Sequence, residues 1–234
     1  MIRGLALGVL IALPGVAAAQ GLIYSLPGGA SSDTISTPNG FAAPKGVYYF
    51  AVSAHTEPEA GDRLDAVVAM GAGTGSVASA VELSLVTADV SHFSGHFLNV
   101  KWHFHNETAR APAVAVGIED ITASESRSAT VYVAATKTFW DTSARSPFLM
   151  RKAVSAGFGG GRFLRRPFAA VSVSLDAFSK AIVEHDGRGL NVGVSVSRPV
   201  GTRAAAVIVL ARQHLTKPSE RAWTASAALA WSHR

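Results

Sequence analysis

Apolar and polar residues alternate one for one along most of this chain. The clearest stretch is 95–106, where Leu98, Val100, Trp102 and Phe104 share one face and Asn99, Lys101, His103 and His105 share the other. Successive side chains of a strand point to opposite faces, so this spacing predicts a strand with one apolar and one ionisable row. The period repeats in its neighbours. Val81, Leu83 and Leu85 oppose Ala80, Glu82 and Ser84; Val114, Val116 and Ile118 oppose Ala115, Gly117 and Glu119. Further on, Val192, Val194 and Val196 oppose Asn191, Gly193, Ser195 and Ser197.

Read in this way, the chain predicts strands at 46–55, 62–73, 76–87, 95–106, 111–121, 127–138, 150–160, 167–175, 177–186, 190–198, 203–213 and 221–231. Short polar turns separate them and helical periodicity is almost absent, which makes the fold all-β. About twelve strands is an even number, as single-chain bacterial barrels have. Both chain ends are then expected on the periplasmic side, with the connection from His55 to Asp62 facing outward and alternate connections following it.

A soluble β-sandwich has the same period. Two features favour a single antiparallel transmembrane-type barrel over it. The polar rows combine charges with small residues, which suits a narrow wet interior. Trp223 and Trp231 fall on one face of the last strand, eight residues apart. At ~3.3 Å per residue and a tilt of ~40° that is a rise of about 20 Å, close to the spacing of two interfacial aromatic girdles.

Composition agrees. Hydrophobic residues make up 48% of the chain and charged ones 16%, yet no run approaches the ~20 apolar residues of a spanning helix. The N-terminus places the chain in an export pathway. Arg3, the apolar run Leu5–Leu13, the Pro14-Gly15 break and Ala17-Ala18-Ala19 form a signal peptide over 1–19, cleaved near Ala19. There is no cysteine, so an exported fold here does not rest on disulfides. Residues 20–45, rich in Gly, Ser, Thr and Pro, read as an irregular lead-in, either a periplasmic segment or a plug in the barrel mouth. The barrel proper takes 46–231.

The formal charge of +5 could indicate nucleic acid, but export argues against that partner. Outer-membrane lipid, lipopolysaccharide and exopolysaccharide are the expected partners. Arg162, Arg165 and Arg166 form the most basic short stretch, in a connection expected to face outward. The barrel-insertion machinery is a further expected partner. The aromatic end signal it reads is imperfect here, because Trp231 is followed by Ser232-His233-Arg234.

The ionisable residues group in two places. Glu82, Asn99, Lys101, His103, His105 and Glu119 come from three consecutive strands, with Glu82 expected opposite Lys101. Opposite charges at facing positions stabilise a ladder, so an interior salt-bridge network is the leading reading and a solute path the alternative. His103 and His105 lack a third ligand of their own, so neither a metal nor another cofactor is expected. The second group is Glu184-His185-Asp186-Gly187. Its carboxylates could serve acid/base chemistry, but Asp-Gly is a hairpin-turn signal first. Gly157-Phe158-Gly159-Gly160-Gly161 fits no phosphate-loop spacing and reads as a strand end entering a flexible loop. A lipid hydrolase of the outer-membrane phospholipase A type would use a His, a Ser two residues on and an Asn. His92-Phe93-Ser94 with Asn99 has that spacing without its surroundings, so no catalytic residue is assigned.

Several motifs resemble those of the YjbH-like group of bacterial outer-membrane barrels. They are Thr37-Pro38-Asn39-Gly40-Phe41-Ala42-Ala43-Pro44-Lys45-Gly46, then Asn99-Val100-Lys101-Trp102 with Glu107 and Ala111-Pro112-Ala113-Val114-Ala115-Val116-Gly117, then Glu184-His185-Asp186-Gly187 with Leu190-Asn191-Val192-Gly193. The resemblance implies a barrel associated with exopolysaccharide production and supplies no catalytic residues. Members of that group often carry two barrel-like halves, and this chain has room for one. The expectation is therefore a non-catalytic outer-membrane barrel with a role in envelope structure or in passage of polysaccharide or solutes. A passive porin, a lipid-modifying enzyme and a soluble periplasmic binding module are the alternatives.

Overall fold

Twelve antiparallel strands close into one barrel in the computed structural model. They are β1 (Val47–Glu57), β2 (Arg63–Gly75), β3 (Ala80–Asp89), β4 (Ser94–His105), β5 (Ala113–Glu119) and β6 (Thr130–Trp140). The circuit continues through β7 (Arg151–Gly159), β8 (Arg166–Ser174), β9 (Ser179–His185), β10 (Leu190–Val200), β11 (Ala204–Gln213) and β12 (Ala222–Ser232). The structure describes residues 33–57, 63–76, 78–90, 94–122, 129–140 and 151–233. The expected signal peptide and residues 20–32 of the lead-in lie outside them, as do His92 and Phe93.

Each strand pairs with its sequence neighbour, and β1 closes the ring on β12 from Val47↔Ser232 to His55↔Thr224. Closure leaves neither β1 nor β12 as an open edge strand. Turn chemistry holds the short connections. Asp176 Oδ1 accepts from the N–H groups of Phe178 and Ser179 between β8 and β9. Gly187 follows Asp186 at φ +84°, a left-handed conformation that an L side chain rarely adopts. The Asp-Gly pair after Glu184 is thus a turn.

The alternation predicted from sequence divides outside from inside. Phe50, Met70, Leu85, Ile118, Val131, Val183, Ile208 and Leu210 are exposed on the outer face. Trp223 and Trp231 share that face at opposite ends of β12, where Trp223 carries Arg212 over its ring and Trp231 stacks on Tyr48. Tyr48, Trp102, Phe104, Phe139 and Trp140 join Trp231 at the end of the barrel where β1 begins, hereafter the near end.

Inside, three glycines of the inner row each face an inward aromatic ring in register: Gly71↔Tyr49, Gly117↔Tyr132 and Gly157↔Phe168. A Cβ at any of them would lie 2.2–2.3 Å from the opposing ring or its hydroxyl. These glycines make room for rings that lie flat across the neighbouring strand, a device that also pins register. The stretch after Gly157 is less open than expected. Gly161–Phe163 forms one 3₁₀ turn that tucks Phe163, fully buried, against Tyr132 and Phe168.

One strand departs from the expected pattern. Between His103 and His105 the β4–β5 register shifts, so that His103 faces Ala115 but His105 faces Val114. Two β4 residues span one step of β5, which is a β-bulge. His105 therefore joins the outward row of Val114 and Val116, is exposed, and bonds the Pro112 carbonyl. It does not line the lumen with His103.

Candidate functional site

Residues 33–45 run through the lumen, and the inner rows of the strands hold them there. Glu184, 1% exposed near the far end of β9, is the principal anchor. Its carboxylate accepts the backbone N–H groups of Ile35 (2.8 Å), Ser36 (3.0 Å) and Thr37 (3.2 Å), and the hydroxyls of Ser36 (2.7 Å) and Thr37 (2.8 Å). Asn191 Nδ2 adds a sixth donor at 3.0 Å. Three successive amides converging on one anion act as a backbone nest, with the wall supplying the charge.

Asp33 is the second anchor, in the opposite sense, because here the segment brings the acid. Arg151 binds it through both terminal nitrogens at 2.8 and 3.0 Å, Lys180 at 3.0 Å and the Ser172 hydroxyl at 2.7 Å. Bidentate geometry makes this a strong form of ion pair. Arg151 opens β7 and Lys180 stands second in β9, so Asp33 lies toward the near end and Glu184 toward the far end. The segment thus rises from residue 33 to residue 36 and then descends to β1.

The descent is bonded at each step. Lys101 Nζ donates to Asn39 Oδ1 at 3.1 Å, and the Gly40 N–H donates to the Thr136 hydroxyl at 2.8 Å. His103 Nδ1 donates to the Gly40 carbonyl at 2.7 Å, while Phe41 stacks on the same ring. The Ala43 N–H donates to Glu82 Oε2 at 2.8 Å, and Lys45 N–H reaches the Gly75 carbonyl. Gly40 passes so close to the wall that a Cβ would lie 2.4 Å from the Ala113 carbonyl oxygen.

The residues singled out from sequence are therefore mostly in the lumen, with partners that sequence did not name. Glu82 does face Lys101 across the β3–β4 ladder. Each also reaches the central segment. Asn99 Oδ1 accepts the Asp120 N–H, and Glu119 pairs with Arg162. That pairing separates Arg162 from the outward-facing basic stretch expected of it with Arg165 and Arg166. Its Nη2 donates to Glu119 at 2.9 Å and to the Ser36 carbonyl at 2.9 Å, so it turns into the lumen, while Arg165 and Arg166 stay exposed. His103 has both ring nitrogens engaged, by Gly40 and Asn106, and the bulge takes His105 away from it. Among the described residues no cluster of three metal-ligating side chains forms.

Glu184 and Asp186 do share the inner face, but both are occupied by structural bonds. Asp186 Oδ1 accepts the N–H groups of Arg188 and Gly189, and Oδ2 accepts Asn191 Nδ2 and His214 Nε2 at 3.2 and 3.0 Å. Burial alone would raise the Asp186 pKa, but the bond from His214, the two backbone donors and Asn191 outweigh it and hold the carboxyl far below the usual range. The same bond to Asp186 raises the His214 pKa. A continuous chain of hydrogen bonds thus links His214 on the far rim through Asp186 and Asn191 to Glu184 and the central segment.

Above residues 35–38 the far half of the lumen is a cavity of about 820 Å³, floored by Ile35, Ser36 and Pro38. Glu82, Lys101, Glu119 and Arg162 reach its wall.

No family model and no curated protein matches this chain. Among solved structures it is similar to Neisserial surface protein A, at 15% identity over 80% of this chain and 97% of that one, with a TM-score of 0.27.

Proposed function

We propose that this protein is a non-catalytic barrel of the bacterial outer membrane whose own segment 33–45 stoppers the lumen, giving it an envelope-structural role. The observation that carries this reading is the attachment of that segment to six inner strands through buried Glu184, Asp33, Lys101, His103, Thr136 and Glu82. A passive pore needs a continuous wet path, and the segment lies across it. The apolar outer row, closed strand ring and aromatic residues at both ends of β12 suit a bilayer. The alternative of an acid/base enzyme loses its carboxylates, since Glu184 and Asp186 are held by structural donors.

Orientation follows from the ends: with both on the periplasmic side, Arg165, Arg166, Arg188 and Arg221 stand on the outward rim, exposed. That rim suits the phosphates of lipopolysaccharide, and the resemblance to the YjbH-like group supports an association with exopolysaccharide at the same surface. Fractionation tests the membrane reading. The protein should remain with outer-membrane sheets and run at a faster gel mobility unboiled than boiled. Recovery in the periplasmic fraction without detergent would overturn it.

A further inference from the structure

The cavity at the far end of the lumen is lined by apolar and polar groups. The inner rows of β2, β3 and β4 bring Val67, Ala69, Val86 and Phe97 to it, and lower on β3 and β4 they bring Glu82 and Lys101, which face each other while Lys101 also bonds Asn39. Beyond β4, Glu119 and Arg162 pair with each other. Asp120 differs from all of these. It lines the cavity, is 5% exposed, and sits at φ +57° at the end of β5. Its Oδ1 accepts from Thr122, but its Oδ2 is buried and has no hydrogen-bond partner. Across the lumen on β12, the buried Thr224 hydroxyl is in the same condition and lines the same cavity.

A buried carboxylate oxygen without a donor is costly, and a carboxylate accepts but does not donate. What it lacks is a donor. A cavity of about 820 Å³ falls within the usual range for small-molecule sites, where apolar lining gives binding energy and a few polar groups fix orientation. We propose that the far half of the lumen is a binding site for a small, largely apolar molecule with a hydrogen-bond-donating head, amine or hydroxyl. Its body packs on Val67, Val86 and Phe97, and its head donates to Asp120 Oδ2, which a small rotation of the Asp120 side chain turns to the cavity. An anionic head is rejected, because it would set two acceptors against each other. Leu164, Arg188 and Gln213 border the cavity at the rim, so the ligand enters from the far side without displacing the central segment.

Three probes that differ only in the head test this: 1-naphthylmethylamine, 1-naphthalenemethanol and 1-naphthoate, titrated by fluorescence against the full chain in nanodiscs, with empty nanodiscs as the blank. The amine and the alcohol should bind saturably and naphthoate at least tenfold more weakly. Asp120→Asn puts a donor where the orphan acceptor stands, and should weaken the amine at least tenfold. Val67→Phe fills the apolar side without touching Asp120 and should remove binding of all probes. Both variants are first checked for heat-modifiable mobility; should Asp120→Asn fail to fold, the head-group order together with Val67→Phe decides. Absence of saturable binding, equal affinity for the three heads, or full binding by Val67→Phe would overturn the site.

Discussion

Ile208 and Glu184 belong to the same barrel wall and face opposite ways. Ile208 is half exposed on the outer row of β11 and needs only an apolar neighbour, which any hydrocarbon supplies. Glu184 is almost fully buried on the inner row of β9 and depends on three particular amides, two hydroxyls and one carboxamide. The outer face is thus specified as a class of side chain, and the inner face partner by partner. Substitutions outside should be tolerated whenever they stay apolar. Substitutions inside should fail even when they are conservative, because each removes one member of a matched set and leaves the rest unsatisfied.

The largest effect expected is at Asp33. Asp33→Ala leaves Arg151 and Lys180 buried without their acid, a loss of about 3–5 kcal/mol by the usual cost of breaking a buried ion pair. Urea unfolding of the refolded protein in lipid vesicles reads it directly. An unchanged midpoint would mean that the inner face is no more specific than the outer one. Next comes the outer face itself. Ile208→Arg places a charge in the apolar row midway between Trp223 and Trp231, which costs about 2–4 kcal/mol at mid-bilayer, whereas Ile208→Leu should be close to neutral. Equal losses for the two would count against a lipid-facing surface.

A smaller effect tests the hydrogen-bond chain from the far rim. His214 has a raised pKa, so its stabilising charge is fully present below the ordinary histidine value and is lost as pH rises through the raised one. Asp186 has a lowered pKa, so its contribution is present above the ordinary aspartate value and disappears as pH falls through the lowered one. The pair is therefore intact between the two folded values. An NMR titration of His214 should give a midpoint above 6.5, the ordinary value, and Asp186→Asn should bring it down. A midpoint unmoved by that substitution would detach His214 from the network.

This asymmetry between faces also explains what could be read from the chain. The outer row is legible because its rule is local. Val192, Val194 and Val196 announce one face of β10 from their spacing alone, and all twelve strands were found within a few residues of their places. Glu82 opposite Lys101 was legible too, since β3 and β4 follow each other closely in the sequence. The inner partners were not. Glu184 meets Ile35 and Thr37 at separations of 149 and 147 residues, and only closure of the whole ring brings them together. Nothing in the spacing of Arg151 or Lys180 along the chain points to Asp33, which they bind from two different strands. A one-residue bulge is equally silent, and it alone turned His105 outward. Inner-row Gly71, Gly117 and Gly157, each opposite a large ring, mark in the sequence the positions where neighbouring side chains need the space.

The measurement closest to the central claim is single-channel conductance in planar bilayers, comparing the full chain with Glu184→Ala. Removal of that carboxylate strips the acceptor from three buried amides, at about 1–3 kcal/mol each, and so frees the top of the central segment. The account predicts a silent native protein and a variant that opens in discrete steps. A native protein that conducts steadily, with Glu184→Ala no different from it, would contradict a lumen stoppered by its own chain.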